Sequence, residues 1–276
     1  MMQITKTVSE LRAAVNGKTG IAFVPTMGAL HQGHVSLVKK ARSTGQTVVV
    51  SVFVNPTQFN DQNDLAKYPR TETADAELLA AAGADILFMP SVEEVYPKGA
   101  PLAKGGKWEE LAQVMEGARR PGHFGGVVQV VSRLLELVEP RWAMFGEKDF
   151  QQLAIIRSMV EERGLAVEIV GCPIVRGDDG LALSSRNALL GVPERAAAPL
   201  IFGELTALKS KIEKEHDQPI EKLVTQAIAN LENNKYLCPE YIEVVDPVTL
   251  RATQDRHSFR ICAAVKCGAV RLIDNI

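Results

Sequence analysis

Apolar positions along this chain gather in short unbroken runs, set apart by longer stretches in which they return every three or four residues. Five runs, "TGIAFVPT" (19–26), "TVVVSVFV" (47–54), "ADILFMP" (84–90), "RWAMFG" (141–146) and "AVEIVGCPIV" (166–175), lack polar alternation, as parallel strands covered on both faces do. Helical spacing fills about 33–44, 72–82, 125–138 and 149–163 between them. Strand and helix in repetition predict an α/β fold, a Rossmann-like doubly wound parallel sheet, whose ligands sit beyond the carboxyl ends of the strands.

After about residue 176 the pattern changes. "RGDDGLALSSRN" is a polar, glycine-bearing connector, helical spacing follows near 193–215 and 219–234, and "EYIEVVD", "SFRICAAVK" and "AVRLID" alternate as antiparallel strands do. The expected organisation is a Rossmann-like domain over 1–176 and a smaller C-terminal α+β domain over 177–276 that contributes the LSSRN loop. No internal repeat or low-complexity tract is evident. The stretch 91–124 reads as irregular, with scattered Gly and Pro, and a loop of that length is expected to be a lid or binding loop.

The loops after the strands carry the candidate chemistry. "VPTMGALHQGH" puts a turn containing Gly28 after the first strand and starts a helix near Gly33, where unpaired N–H groups and a positive helix end suit a phosphate. His31 and His34, three apart, share a face of the first helical turn, and two imidazole N–H donors can stabilise charge building on a phosphoryl group. A buried pair making ordinary hydrogen bonds is the bland alternative, and a third nearby ligand for a metal is lacking. Asn55 and Gln58 follow the second strand, where amides can read a hydroxyl and a carboxylate. Gly146, Glu147, Lys148 and Asp149 form the turn after the fourth strand, with Lys148 placed for a phosphate, Asp149 as a helix cap and Gln152 one turn further in. Ser184, Ser185 and Arg186 can wrap a triphosphate, and "GARRPGHFGGVV" places His123 ahead of a helix start at Gly125–Gly126, a second anion site.

Bulk properties narrow the field. The 276 residues are 46% apolar, enough for a sizeable core, and a formal net charge of -2 offers no footprint for nucleic acid. Neither a membrane-spanning run nor the apolar core of a signal peptide is present, so the expected compartment is the cytoplasm, with no membrane partner. Cys172, Cys238, Cys262 and Cys267 form no Cys-x-x-Cys pair and are expected to be reduced structural thiols.

"HQGH" with "LSSRN" resembles the paired His-x-Gly-His and Lys-Met-Ser-Lys-Ser-like signatures of the nucleotidyltransferase superfamily. The strings "VPTMGALHQGH", "FVNPTQF", "YPRT", "RPGHFGGV", "FGEKDFQQL", "GLALSSRN" and "RLIDN" are similar to those of the pantoate–β-alanine ligases, in order from about 21 to 274. The resemblance implies an AMP-forming ligase of coenzyme A biosynthesis: ATP and (R)-pantoate, with Mg²⁺, give a pantoyl adenylate, which β-alanine opens to pantothenate. It further implies that Met27, Gly28, Ala29, Leu30, His31, Gln32, Gly33, His34, Gly146, Glu147, Lys148, Asp149, Val175, Leu183, Ser184, Ser185 and Arg186 bind ATP, with His34, His31 and Lys148 catalytic. Gln58 and Gln152 would contact pantoate, Gln58 also β-alanine, with Asn55, Tyr68, Arg120 and His123 beside them, in a homodimer. Two departures stand out. Thr57 occupies a position where members often carry Met, and Ala74 thins the acidic cluster before Asp75, so no protein ligand is assigned to Mg²⁺. The readings weighed against this one are an adenylyltransferase acting on a phosphorylated acceptor and a non-catalytic nucleotide- or RNA-binding module.

Overall fold

In the computed structural model, which describes residues 2–44, 47–58, 66, 68–99 and 102–276, each of the five apolar runs holds a strand. They are β2 (Ala22–Thr26), β3 (Val48–Val52), β4 (Ile86–Phe88), β5 (Trp142–Gly146) and β6 (Glu168–Cys172). A sixth strand that the pattern did not announce, β1 (Gln3–Thr5), pairs with β4 at the sheet edge. All the pairings are parallel, in the order β1-β4-β3-β2-β5-β6. Phe59 of the "FVNPTQF" string and positions 100 and 101 lie outside the described residues.

The two-sided apolar pattern has a direct structural counterpart. Alternate side chains leave opposite faces of a strand, and here Phe23, Val49, Ile86, Phe88, Ala143 and Phe145 enter one core while Ala22, Val24, Val48, Val50, Leu87 and Met144 enter another. The first is closed by residues of α1 (Val8–Val15), α7 (His123–Val138) and α8 (Phe150–Glu162), the second by α2 (Gln32–Arg42) and α3 (Glu72–Ala82). Three short helices, α4 (Val92–Val95), α5 (Trp108–Leu111) and α6 (Met115–Arg119), break up the stretch expected to be irregular.

The chain runs from β2 outward through β3 to β4, then returns to start β5 on the other flank of β2, so the winding reverses between β2 and β5. Their ladder joins only Ala22 to Trp142 and Phe23 to Ala143. Val24–Thr26 and Met144–Gly146 carry no rungs between them, and the strands splay toward their carboxyl ends. Such a reversal point is where doubly wound sheets open a crevice.

Two compact units emerge: Met1–Glu147 with Gln151–Pro173, and Lys148–Phe150 with Ile174–Ile276. In the second, α9 (Val192–Ala197), α10 (Pro199–Lys214) and α11 (Ile220–Glu232) accompany an antiparallel sheet of β7 (Leu237–Val245), β8 (Arg260–Cys267) and β9 (Val270–Asn275) around its own apolar core. The helical pattern near 193–215 is two helices because Pro199 starts a new one at its first position. All four cysteines are free, with only Cys238 exposed. No helix among the described residues is long and apolar enough to cross a membrane.

Candidate active site

Five residues join Thr26 at the end of β2 to Gln32 at the start of α2. Gly28 and Ala29 take left-handed φ values of 85° and 51°. The N–H groups of this turn, expected to be unpaired, largely have partners within the chain. Gly28 N–H donates to Thr26 Oγ1 (3.4 Å), Ala29 and Leu30 N–H donate to the two oxygens of Asp75 (3.0 and 2.9 Å), and Gly33 N–H donates to His31 Nδ1 (3.1 Å). His31 N–H donates to His34 Nδ1 (3.2 Å). Buried backbone donors need partners, and here a threonine hydroxyl, a carboxylate and two ring nitrogens supply them.

His31 is therefore itself the cap of α2, and His34, at the third helical position, answers it: an imidazole version of the capping box. The ring nitrogen replaces the small hydroxyl or carboxamide that this helix start lacks. An Nδ1 that accepts a hydrogen bond carries no proton, so each neutral ring holds its hydrogen on Nε2. The two ring centroids lie 4.2 Å apart at the start of the helix that follows β2. Gly146 ends the neighbouring β5, and Glu147 follows it.

After β3 comes a second cluster. Asn55 is 1% exposed; its Nδ2 donates to Gly126 O (3.1 Å), and its Oδ1 accepts from Tyr96 Oη (3.3 Å). Burial pushes the Tyr96 hydroxyl well above its ordinary pKa, with Arg133 opposing, so it stays a donor. The Asn55 amide thus fixes the turn that holds Pro56–Gln58. The Thr57 hydroxyl lies 2.8 Å from Gln129 Oε1 and 3.2 Å from Asn55 Oδ1. Arg120 Nη1 sits 3.0 Å from His123 Nε2, and His123 Nδ1 2.9 Å from Gln58 O. Arginine can only donate and a carbonyl can only accept, so His123 carries its proton on Nδ1.

Gln58, Arg120 and His123 are thereby brought together, with Asn55 behind them. The helix start expected at Gly125–Gly126 lies earlier, at His123 after Gly122, and Gly126 has a packing purpose. A Cβ on Gly126 would stand 2.4 Å from Thr57 O, so only glycine lets α7 reach the Pro56–Gln58 turn. Tyr68 is half-buried in a bend, and Gln152 half-buried in the first turn of α8. Its neighbour Gln151, absent from the expected site, is buried and binds Glu116 N, Leu111 O and Val114 O at 3.0, 2.8 and 2.9 Å, pinning the segment that leads to Arg120.

The remaining expected ATP residues belong to the second unit. Lys148 and Asp149 lie in a tight turn before α8, and Lys148 O accepts from Asn275 Nδ2 at 2.8 Å. Leu183 N–H donates to Val175 O (2.9 Å), and the Ser184 hydroxyl caps the turn Ser185–Leu189 by accepting from Arg186 N (3.3 Å). Arg176 holds Asp274 through two bonds of 2.6 and 2.8 Å, which secures the end of β9. The "RLIDN" string is therefore structural support for the Lys148 turn. No cluster of three or more His, Cys, Asp or Glu side chains able to hold a metal occurs among the described residues.

Comparison with known proteins gives the arrangement its family. The family model for Pantoate-beta-alanine ligase matches residues 3–276. The chain is 50% identical over 283 residues to the pantothenate synthetase of Porphyromonas gingivalis, covering 100% of this chain and 99% of that one. With the pantothenate synthetase of Phocaeicola vulgatus the identity is 51% over 288 residues, at 100% and 99% coverage. Its structure is similar to that of pantothenate synthetase from Thermus thermophilus, with a TM-score of 0.93, 43% identity and coverage of 100% and 99%. It is also similar to the pantoate-beta-alanine ligase of Francisella tularensis, solved with beta-gamma ATP and beta-alanine, with a TM-score of 0.82, 36% identity and coverage of 100% and 97%. An end-to-end match of this depth, with paired imidazoles at the sheet reversal, places the chain in the pantoate–β-alanine ligase family.

Proposed function

We propose that this protein condenses (R)-pantoate with β-alanine, coupled to cleavage of ATP, in two displacements. In the first, a pantoate carboxylate oxygen attacks the α-phosphorus of ATP; the new O–P bond forms as the bond to pyrophosphate breaks, giving pantoyl adenylate. In the second, the neutral amine of β-alanine attacks the acyl carbon, the C–N bond forms, AMP leaves with the C–O electron pair, and the amine gives up a proton. Neither step requires a covalent enzyme nucleophile. The observation that carries the reading is the His31–His34 pair, set as two Nε2–H donors at the reversal point of a chain that matches the family throughout.

A carboxylate approaching a triphosphate brings anions together, so aligned donors and cations serve the first step better than a strong base. His34 and His31 supply donors that add no fixed charge, and Lys148 and Arg186 supply cations, with Met27 to His34, Gly146 to Asp149, Val175 and Leu183 to Arg186 contacting ATP. Gln58 and Gln152 hold pantoate, beside Tyr68, Arg120 and His123. Mg²⁺ enters with ATP, where it neutralises phosphate charge. Asp75, the buried carboxylate nearest the turn, directs its oxygens at Ala29 and Leu30, which fits an ion held by phosphates and water better than one caged by the protein. The reading extends to a cytoplasmic homodimer on the family resemblance; analytical ultracentrifugation should give twice the chain mass.

The test omits ATP, Mg²⁺, pantoate and β-alanine in turn. Exchange of labelled pyrophosphate into ATP that needs pantoate but not β-alanine, with free AMP appearing only once β-alanine is added, is the expected result. AMP retained on an acceptor would mark an adenylyltransferase instead. A mobility shift with tRNA at modest salt and no turnover would mark a binding module.

A further inference from the structure

We propose that Asp75 and Thr71 form an internal brace that holds the histidine turn in its working shape, making Asp75 a positioning residue for adenylate formation; the inference rests on the function proposed above. Two successive left-handed residues, Gly28 and Ala29, turn the N–H groups of Ala29 and Leu30 the same way, which creates a backbone concavity for an anion. In this protein the anion is internal. The Asp75 carboxylate, 3% exposed, takes Ala29 N–H at 3.0 Å on one oxygen and Leu30 N–H at 2.9 Å on the other. Thr71 Oγ1, the last residue of "YPRT", donates to the Leu30-bound oxygen at 3.1 Å.

Asp75 sits in the first turn of α3, with its own N–H on Thr71 O at 2.8 Å, so the brace is anchored in a helix. Gly28 is part of the fit, since a Cβ there would stand 3.1 Å from both Asp75 Oδ2 and Val52 Cγ1. Ala29 carries the steric penalty of a left-handed φ, and the carboxylate offsets it. Directly after this turn stands His31, whose N–H fixes the His34 ring and whose own ring caps α2. Releasing Ala29 and Leu30 would let both imidazoles drift.

The experiment compares the parent with Asp75→Asn and Thr71→Val on three readouts: pantoate-dependent pyrophosphate exchange, opening of supplied pantoyl adenylate by β-alanine, and ring ¹⁵N shifts in ¹⁵N-histidine-labelled protein. Asparagine turns one acceptor into a donor facing an N–H. Asp75→Asn is expected to lower kcat for exchange by about 10², the scale of an ångström-level misplacement, while the KM for β-alanine stays unchanged. The ¹⁵N shifts of His31 and His34 should move toward a tautomer mixture while those of His123, His216 and His257 stay put, a pattern that general loosening would not give. Thr71→Val keeps the carboxylate and should shift the same readouts less. A folded Asp75→Asn with parental exchange and shifts overturns the proposal, and if that variant does not fold, a parental Thr71→Val overturns it. Absence of pantoate-dependent exchange in the parent instead sinks the function; the ¹⁵N shifts then still decide the brace.

Discussion

His34 Nδ1 accepts the backbone N–H of His31 at 3.2 Å, while His31 Nδ1 accepts that of Gly33 at 3.1 Å. One nitrogen of each ring is committed to the helix start and the other is thereby fixed as a donor. Helix capping and catalysis can be separated, because an asparagine side chain reaches where Nδ1 sits and not where Nε2 sits. His34→Asn should keep the cap and hold the melting temperature close to parental, yet lose about 10² or more in the rate of adenylate formation, the scale of losing one preorganised donor. His34→Ala should lose the rate and also about 1 kcal/mol of stability through the cap. Quenched-flow measurement of pantoyl adenylate, paired with urea titration, reads both quantities. A parental rate in His34→Asn would remove Nε2–H from the mechanism.

Gly126 makes a comparable prediction for the substrate side. Its missing Cβ leaves room for Thr57 O, a backbone atom that no side-chain rotation can move. Gly126→Ala should cost about 1–3 kcal/mol through overpacking and raise the pantoate KM, since the displaced turn carries Gln58. Gly203→Ala is the matched control: it lies within α10 with nothing within 4 Å of the added carbon, and should leave KM alone while stabilising by about 0.4–1 kcal/mol.

These two sites show what could be read from the letters. The central sheet was legible because β2 to β5 carry apolar residues on both faces, and their helices because spacing within one element suffices to mark it. Strand β1 was not, for it spans three residues with only Thr5 buried. Helix α1 was missed although its signal is present: Thr7 and Glu10 form a capping box, the T-x-x-E of "TVSE". The unusual "HQGH" start was legible as chemistry, but the state of its N–H groups was not. That state depends on Asp75, which lies 46 residues from Ala29 and meets it only through the fold. Local helix-start logic likewise misses the use of Gly126, which Thr57, far off in sequence, decides.

Thr57, at a position where the family resemblance implies Met, makes a prediction of its own. Its hydroxyl, 2.8 Å from Gln129 Oε1, ties α7 to the substrate-side turn. Thr57→Val preserves the shape and deletes the bond, a loss of about 0.5–1.5 kcal/mol. Expressed at the turn, that is about a two- to twelvefold rise in pantoate KM with the ATP KM unchanged, read in initial-rate assays. Equal rises for both substrates would show that the bond supports the fold at large.

Gln151 tests the support beneath Arg120. Its buried amide donates to Leu111 O and Val114 O and accepts from Glu116 N–H, spanning the link between the two short helices α5 and α6. Gln151→Leu fills similar space and pairs with none of them. Each orphaned buried group costs about 1–3 kcal/mol where water cannot reach it, so the urea midpoint should fall by far more than in Gln152→Leu, whose side chain is only half-buried. Matching midpoints for the two variants would mean that the 111–116 segment is held by something other than this amide.

Cys172 gives a prediction in pH. At the end of β6 and 2% exposed, its thiol is pushed up to about 11, chiefly by burial, with Glu147 adding to the rise and Lys40 opposing it. An unfolded cysteine titrates at about 8.5. Because the folded value is the higher one, the folded state favours the protonated thiol. The stability this contributes is complete below the unfolded value and is lost as pH rises toward the folded one. Urea unfolding of the parent and of Cys172→Ala at pH 7, 8.5 and 9.5 should therefore show the parent ahead at pH 7 and its lead shrinking by about 1 kcal/mol at pH 9.5. A lead that stays constant across that range would mean the thiol loses its proton as readily in the folded chain as in the unfolded one.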